Sequence, residues 1–211
     1  YSQSLEVNRK IEHIKGISSC IGGLAFIARK QKRIKKAKKL HKEALQLSID
    51  SGNKRGIGIN LSELGLLERM NKNYKRSREY FEESLEVNKE IMYNKGIAMC
   101  LGNIANILQI QNKLNESLDL YQESLEINER IQNKRGISLT LHKIGEILMR
   151  KKEFDEAEKY YIRCREVNVE IGDKRNESMA LGRLVKIARK KNQLDRAKEL
   201  ELERQDAWNQ S

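Results

Sequence analysis

There is no proline anywhere in the 211 residues. A chain without the usual helix breaker points to helix throughout, with short and regular connections. Cysteine is scarce too. Cys20, Cys100 and Cys164 are odd in number and far apart, which excludes a disulfide framework and a zinc ligand set and points to a reducing, cytoplasmic setting. The histidines, His13, His41 and His142, are scattered. No run approaches the 18 or so apolar residues of a membrane span, so no membrane insertion is expected. The N-terminus has no charged stretch followed by an apolar one, the pattern of a signal peptide. No GxGxxG, GxxxxGK[ST] or HExxH is present, so no cofactor, metal or catalytic residue is expected.

What the chain has in excess is positive charge. Forty-two Lys and Arg against 30 Asp and Glu leave +12, a balance that favours acidic partners. It also has a period. Gly16, Gly56, Gly96 and Gly136 are spaced by 40, with Asn176 in the fifth slot. Apolar residues follow at fixed offsets: Ile21, Leu61, Leu101, Leu141 and Leu181, then Leu24, Leu64, Ile104, Ile144 and Leu184. Next comes a small residue at Ala25, Gly65, Ala105 and Gly145, replaced by Val185 in the last unit. A second group holds Ala37, Ser77, Ser117, Ala157 and Ala197. Four residues later stand His41, Phe81, Tyr121, Tyr161 and Glu201.

Two apolar stripes at helical spacing, parted by a short polar break, make each unit a pair of helices. Helix A is expected over about 54–70 and helix B over about 74–92, repeated every 40 residues. The small residues would let the two backbones approach. Cys20 and Cys100 share one slot and read as packing residues. His41, in the aromatic slot, reads as a packed ring.

The pattern Leu64-Gly65, Ile144-Gly145, Ala157, Phe81 and Tyr121 resembles the tetratricopeptide repeat (TPR). The period exceeds that family's usual value of about 34. Together with "LGNIAN" at 101–106, it looks like the long-helix variant of LGN/Pins-type scaffolds. The resemblance implies an all-α fold: a right-handed α-solenoid of antiparallel helix pairs, a TPR superhelix of about five repeats. The units would be 14–53, 54–93, 94–133, 134–173 and 174–211 within one solenoid domain. Residues 1–13 would be the helix B of a preceding repeat, because "YSQSLEVNRKI" aligns with "YQESLEINERI" at 121–131. A stretch of a longer array is therefore expected. The family's proline near the end of helix B is missing, so B should run almost to the next repeat. The last unit is degenerate, with Glu201 and Arg204 in apolar slots and Trp208 placed to cover the end.

In this family the A helices line a concave wall that holds an extended peptide. The resemblance therefore implies a non-enzymatic interaction scaffold. Off the core stripe, helix A offers Ser62, Glu63 and Leu66 in the second full repeat, and Asn103, Asn106 and Gln109 in the third. The fourth offers His142, Lys143, Glu146 and Arg150, the fifth Arg183, Lys186 and Arg189. Asn suits peptide backbone, which it can both donate to and accept from. Arg and Lys suit acidic groups, so a partner segment with an acidic portion is expected near Arg183 and Lys186. Self-association through the N-terminal repeat end is a second partner class.

"RKQKRIKKAKKLHK" at 29–42 has nine basic residues in fourteen and no acid. Its apolar stripe is intact, so it is the first half of a helix B whose outward slots are Lys35, Lys36, Lys38, Lys39 and Lys42. The corresponding slots sum to +5, +1, −2, −2 and 0 along the five units. Nucleic acid is a weaker candidate for this face, because phosphate binding usually adds aromatic stacking and only Phe26 is near. The alternative function is a sensor or regulatory array of a larger protein whose basic surface meets a polyanion.

Overall fold

The computed structural model describes residues 1–10 and 14–209. Residues 11–13, where the half-repeat 1–13 meets the first full repeat, lie outside the described residues, as do 210 and 211. Among the described residues the chain is all helix: α1 (Ser2–Lys10), α2 (Ile14–Lys30), α3 (Ile34–Asp50), α4 (Lys54–Met70), α5 (Tyr74–Glu90), α6 (Asn94–Ile110), α7 (Leu114–Arg130), α8 (Lys134–Lys151), α9 (Phe154–Glu170), α10 (Lys174–Lys190) and α11 (Leu194–Asn209). They form two compact units, Tyr1–Ile107 and Leu108–Ser211. The even-numbered helices are the A helices of the repeats and the odd-numbered ones from α3 onward the B helices.

Side chains within the pairs fix their direction. Ser77 Oγ donates to Gly65 O at 2.8 Å, and Ser84 Oγ to Gly58 O at 2.8 Å. One index rises as the other falls, as antiparallel helices require. The small-residue slot has the role its period suggested. A Cβ on Gly65 would lie 3.0 Å from the Phe81 ring, and one on Gly145 would lie 2.7 Å from the Tyr161 ring. Helix A is thus bare where the helix B ring lies on it, and both rings are fully buried.

The periodic glycine answers a different neighbour, the last turn of the preceding helix B. A Cβ on Gly56 would come within 2.7 Å of Ser48 Oγ, on Gly96 within 2.4 Å of Asn88 Oδ1, and on Gly136 within 2.2 Å of Asn128 Oδ1. The fifth slot tolerates Asn176 because Asn168 turns elsewhere: its Oδ1 accepts from Ser138 Oγ at 2.7 Å. Asn53, Asn133 and Asp173, each three residues before its slot, accept from the slot's backbone N–H and cap the A helices.

Helix B does stop short of the next repeat, by three residues, and a left-handed residue does it without proline. Gly52 (φ 63°), Met92 (φ 51°), Gln132 (φ 54°) and Gly172 (φ 69°) hold equivalent positions. Glycine adopts this region freely and methionine does not. The Met92 side chain is 84% exposed. Met92→Gly should therefore stabilise the protein, by about 1 kcal/mol, read as a higher urea midpoint. An unchanged or lower midpoint would show that the turn carries no strain.

At the C-terminal end the expectation fails. Trp208 is 57% exposed, and Leu194 and Leu202 on the same helix are exposed too. Trp208 stands in the slot of Asn88, Asn128 and Asn168.

Candidate binding surface on the A helices

Arginines link each A helix to its neighbour. In the first unit Arg29 Nε of α2 lies 2.9 Å from Glu63 Oε2 of α4, and Arg69 of α4 donates to Asn106 Oδ1 of α6 at 2.9 Å. In the second unit Arg150 donates to Gln109 O at 2.9 Å and to Asn112 Oδ1 at 2.8 Å. Arg183 of α10 lies 2.8 Å from Glu146 Oε1 of α8.

These links change the standing of several expected ligand residues. Arg150 closes the carbonyl end of α6 and is not free for a partner. Gln109 and Ser62, expected on the ligand face, are buried. Ser62 shares hydrogen bonds with Ser84 Oγ (2.8 Å) and Cys100 Sγ (3.6 Å), because the step after core residue Leu61 points at the neighbouring helices. Asn106 is half-buried and held by Arg69, and Asn103 donates to Met99 O of its own helix at 2.8 Å.

Four of the named residues do come together. Glu146 receives Lys143 Nζ at 2.7 Å, Arg183 at 2.8 Å and His142 Nε2 at 3.4 Å. His142 and Lys143, with the His142 hydrogen bond foremost, pull its carboxyl down to about 2. The ring of His142 meets that of Tyr161 edge-on, with centroids 5.6 Å apart. Lys186 and Arg189 remain exposed on α10, and neither makes an ion pair among the described residues. Helix α10 carries six basic residues (Lys174, Arg175, Arg183, Lys186, Arg189 and Lys190) against the single acid Glu177.

Each unit opens a cavity between consecutive A helices. In the second unit it measures about 270 Å³ and is lined by Arg135, Ser138, His142 and Asn176 among others. In the first it measures about 320 Å³, with Ser18, Gly22 and Gly56 in its lining. Ser18 and Ser138, Gly22 and His142, and Gly56 and Asn176 are each 120 residues apart, so one site recurs three repeats later with different side chains. Sequence reasoning missed the cavity in the first unit. The available signals were "IGGLAF" at 21–26 and Asn60, an amide in a slot that otherwise holds Cys20, Cys100, Thr140 and Ala180.

The outer lysines are less uniform than expected. Lys35, Lys36, Lys39 and Lys42 are exposed. Lys38 is instead half-buried and ion-paired to Glu68, a buried acid of α4. Glu68 thus gives the basic helix an acidic partner from the next repeat.

The three cysteines are buried and unpaired, and burial pushes the Cys164 thiol up, away from the reactive thiolate. Among the described residues no three His, Cys, Asp or Glu are grouped to hold a metal ion, and no helix is long and apolar enough to cross a membrane.

Stacked helix pairs with side-chain-sized cavities between their A helices define a helical-repeat scaffold. The tetratricopeptide repeat model matches residues 17–90, 56–130 and 136–209, and the chain belongs to that family. Solved structures share the fold at low identity. BtubC (BKLC) from P. vanneervenii is 17% identical with a TM-score of 0.87, over 99% of this chain and 88% of that one. A STAND protein with a tetratricopeptide repeat sensor from Pyrococcus horikoshii is 14% identical with a TM-score of 0.79, over 90% of this chain and 30% of that one. A Rap protein complexed with competence and sporulation factor is 16% identical with a TM-score of 0.75, over 93% of this chain and 54% of that one. A search of curated proteins found no match to the sequence.

Proposed function

We propose that this chain is a non-catalytic, cytoplasmic interaction scaffold whose A-helix surface binds an extended protein segment with an acidic portion. The observation that carries the reading is α10, where Lys186 and Arg189 stand exposed on a helix with a net charge of +5 (six bases less one acid). A bound carboxylate there would make charge-assisted hydrogen bonds, stronger than neutral ones. The Rap structure, described as complexed with a sporulation factor, supports a protein partner. The "LGNIAN" stretch supports the LGN/Pins-like variant.

Arg183 is a poor probe of this idea, since Glu146 already occupies it. Lys186→Glu with Arg189→Glu is the better test. Titration with a fluorescent acidic peptide should show affinity falling by about tenfold or more, from the loss of charge-assisted contacts, while the helical signal stays unchanged. Equal affinity for the variant would sink the reading.

The second reading, a sensor array whose basic surface meets a polyanion, rests on the four exposed lysines of α3. It predicts duplex DNA or RNA binding that falls steeply with salt and disappears in Lys35→Glu/Lys36→Glu/Lys39→Glu. Sedimentation of the same samples reports self-association through the N-terminal repeat end.

A further inference from the structure

The cavity of the first unit contains a buried acceptor with nothing to accept from. His41, only 2% exposed, lines it together with Asn60 and Glu63. Asn60 Nδ2 donates to Gly56 O at 2.9 Å, so its Oδ1 is the atom that faces His41 Nδ1, at 3.0 Å. An acceptor on that side places the imidazole proton on Nδ1. Nε2 is then a lone-pair acceptor, and it has no hydrogen-bond partner. Burial, the largest influence on this ring, holds its pKa below the ordinary value and keeps it neutral.

Across from Nε2, at 3.9 Å, is Glu63 Oε2, a second acceptor. Arg29 lies 2.9 Å from that oxygen and balances its charge. Two acceptors therefore face one another with no donor between them, and a buried polar atom left this way is costly. Gly22 leaves room on the α2 side, where an added Cβ would meet only Asn60 Oδ1 at 3.8 Å, and the bare Gly23 seats the Tyr1 ring, which forms part of the cavity wall. Glycine is a poor residue for a helix interior. Its rim is basic. Arg55 stacks on Tyr93 at 4.9 Å, and Arg29 and Lys30 stack on Phe26 at 5.0 and 5.5 Å.

We propose that this cavity is a recognition pocket for an uncharged primary carboxamide, the side chain of Gln or Asn in a bound segment. The two N–H groups of the amide satisfy His41 Nε2 and Glu63 Oε2, and its carbonyl meets the donors at the rim, Arg55 and Ser19. A carboxylate brings no donor to the acceptor pair. An ammonium brings donors but meets Arg29, which lies beside Glu63, and Arg55, which lines the cavity. The proposal rests on the peptide-binding reading above and supplies its specificity at a second place, in the other unit.

The test uses the whole chain and three probes: N-acetyl-glutamine methylamide and its glutamate and lysine counterparts. Binding is followed through the imidazole nitrogens of His41 by long-range ¹H–¹⁵N NMR. The glutamine probe should shift the Nε2 resonance saturably and bind about tenfold or more tightly than either counterpart, the scale of one buried hydrogen-bond mismatch. In His41→Phe/Asn60→Cys, which has no imidazole to follow, affinities are read by isothermal titration calorimetry alongside the wild type, and this preference should vanish. That pair reproduces Phe81 and Cys100 of the next repeat, so the helix pair has a native precedent, and circular dichroism checks that it folds. Equal binding of the three probes, a preference for glutamate or lysine, no saturable shift with any probe, or a glutamine preference that survives in the variant would each overturn the proposal. The α10 charge reversal leaves this readout untouched, so failure of the acidic-segment reading and failure of this pocket are told apart.

Discussion

Gly145→Ala should destabilise the second unit by about 2–3 kcal/mol, near the upper range for overpacking a well-filled core. The new Cβ would lie 2.7 to 2.9 Å from three atoms of the Tyr161 ring. That ring is fully buried, and His142 lies edge-on to it, so it has little room to yield. Gly65→Ala is the internal comparison. There the contacts with Phe81 are 3.0 to 3.1 Å, and a shift of a few tenths of an ångström absorbs them at a cost of about 1 kcal/mol. Thermal unfolding ranks the two. Adding Tyr161→Leu to Gly145→Ala should recover part of the loss. If Gly145→Ala melts with the wild type, the close seating of ring on glycine is wrong.

The second large effect is pH-dependent. Glu146 has a carboxyl lowered from 4.5 to about 2 by its contacts with His142 and Lys143, with Arg183 also at 2.8 Å. A carboxylate whose pKa falls on folding stabilises the folded state above its ordinary value, and that contribution disappears as pH drops through the folded value. Discounted for partial exposure, the shift is worth on the order of 2 kcal/mol at pH 7. Glu146→Gln should cost about that much at neutral pH. The gap from wild type should narrow as pH falls from about 4.5 toward 2, the window of the shift. Urea midpoints at pH 7, 4 and 2.5 measure it. A gap independent of pH would mean that packing rather than charge holds the site.

The helix pairs were legible because their slots recur five times, and noise does not keep a register of 40 residues. The small residues Gly65 and Gly145 point to a close approach of helix backbones, and the structure puts the Phe81 and Tyr161 rings there. The turns were harder. Their left-handed residues include Lys32, Lys72, Met92 and Gln132, none of which signals a positive φ by its type. Among candidate ligand residues, the helical face was readable and the partners were not. Arg183 and Arg150 looked like free cations because spacing along one helix says nothing of what the neighbouring helix supplies. Ser62 and Gln109 looked accessible for the same reason. The pocket at His41 was hidden by a sound local argument: an imidazole in an aromatic slot packs, and it does. Only Asn60 beside it makes one of its nitrogens an acceptor.

From α2 onward each connection between helices is two or three residues long, and the glycine slot of one repeat is shaped by Ser48, Asn88 or Asn128 of the repeat before it. Losing one residue from such a turn would swing every later side chain by about 100° around its helix axis. The damage would not stay local, because each repeat is the mould for the next. In heredity, then, the smallest harmless change of length is the whole repeat. Duplication or loss of 40 residues keeps every slot in phase, and it also copies or removes a cavity that substitutions can afterwards refit to a different side chain.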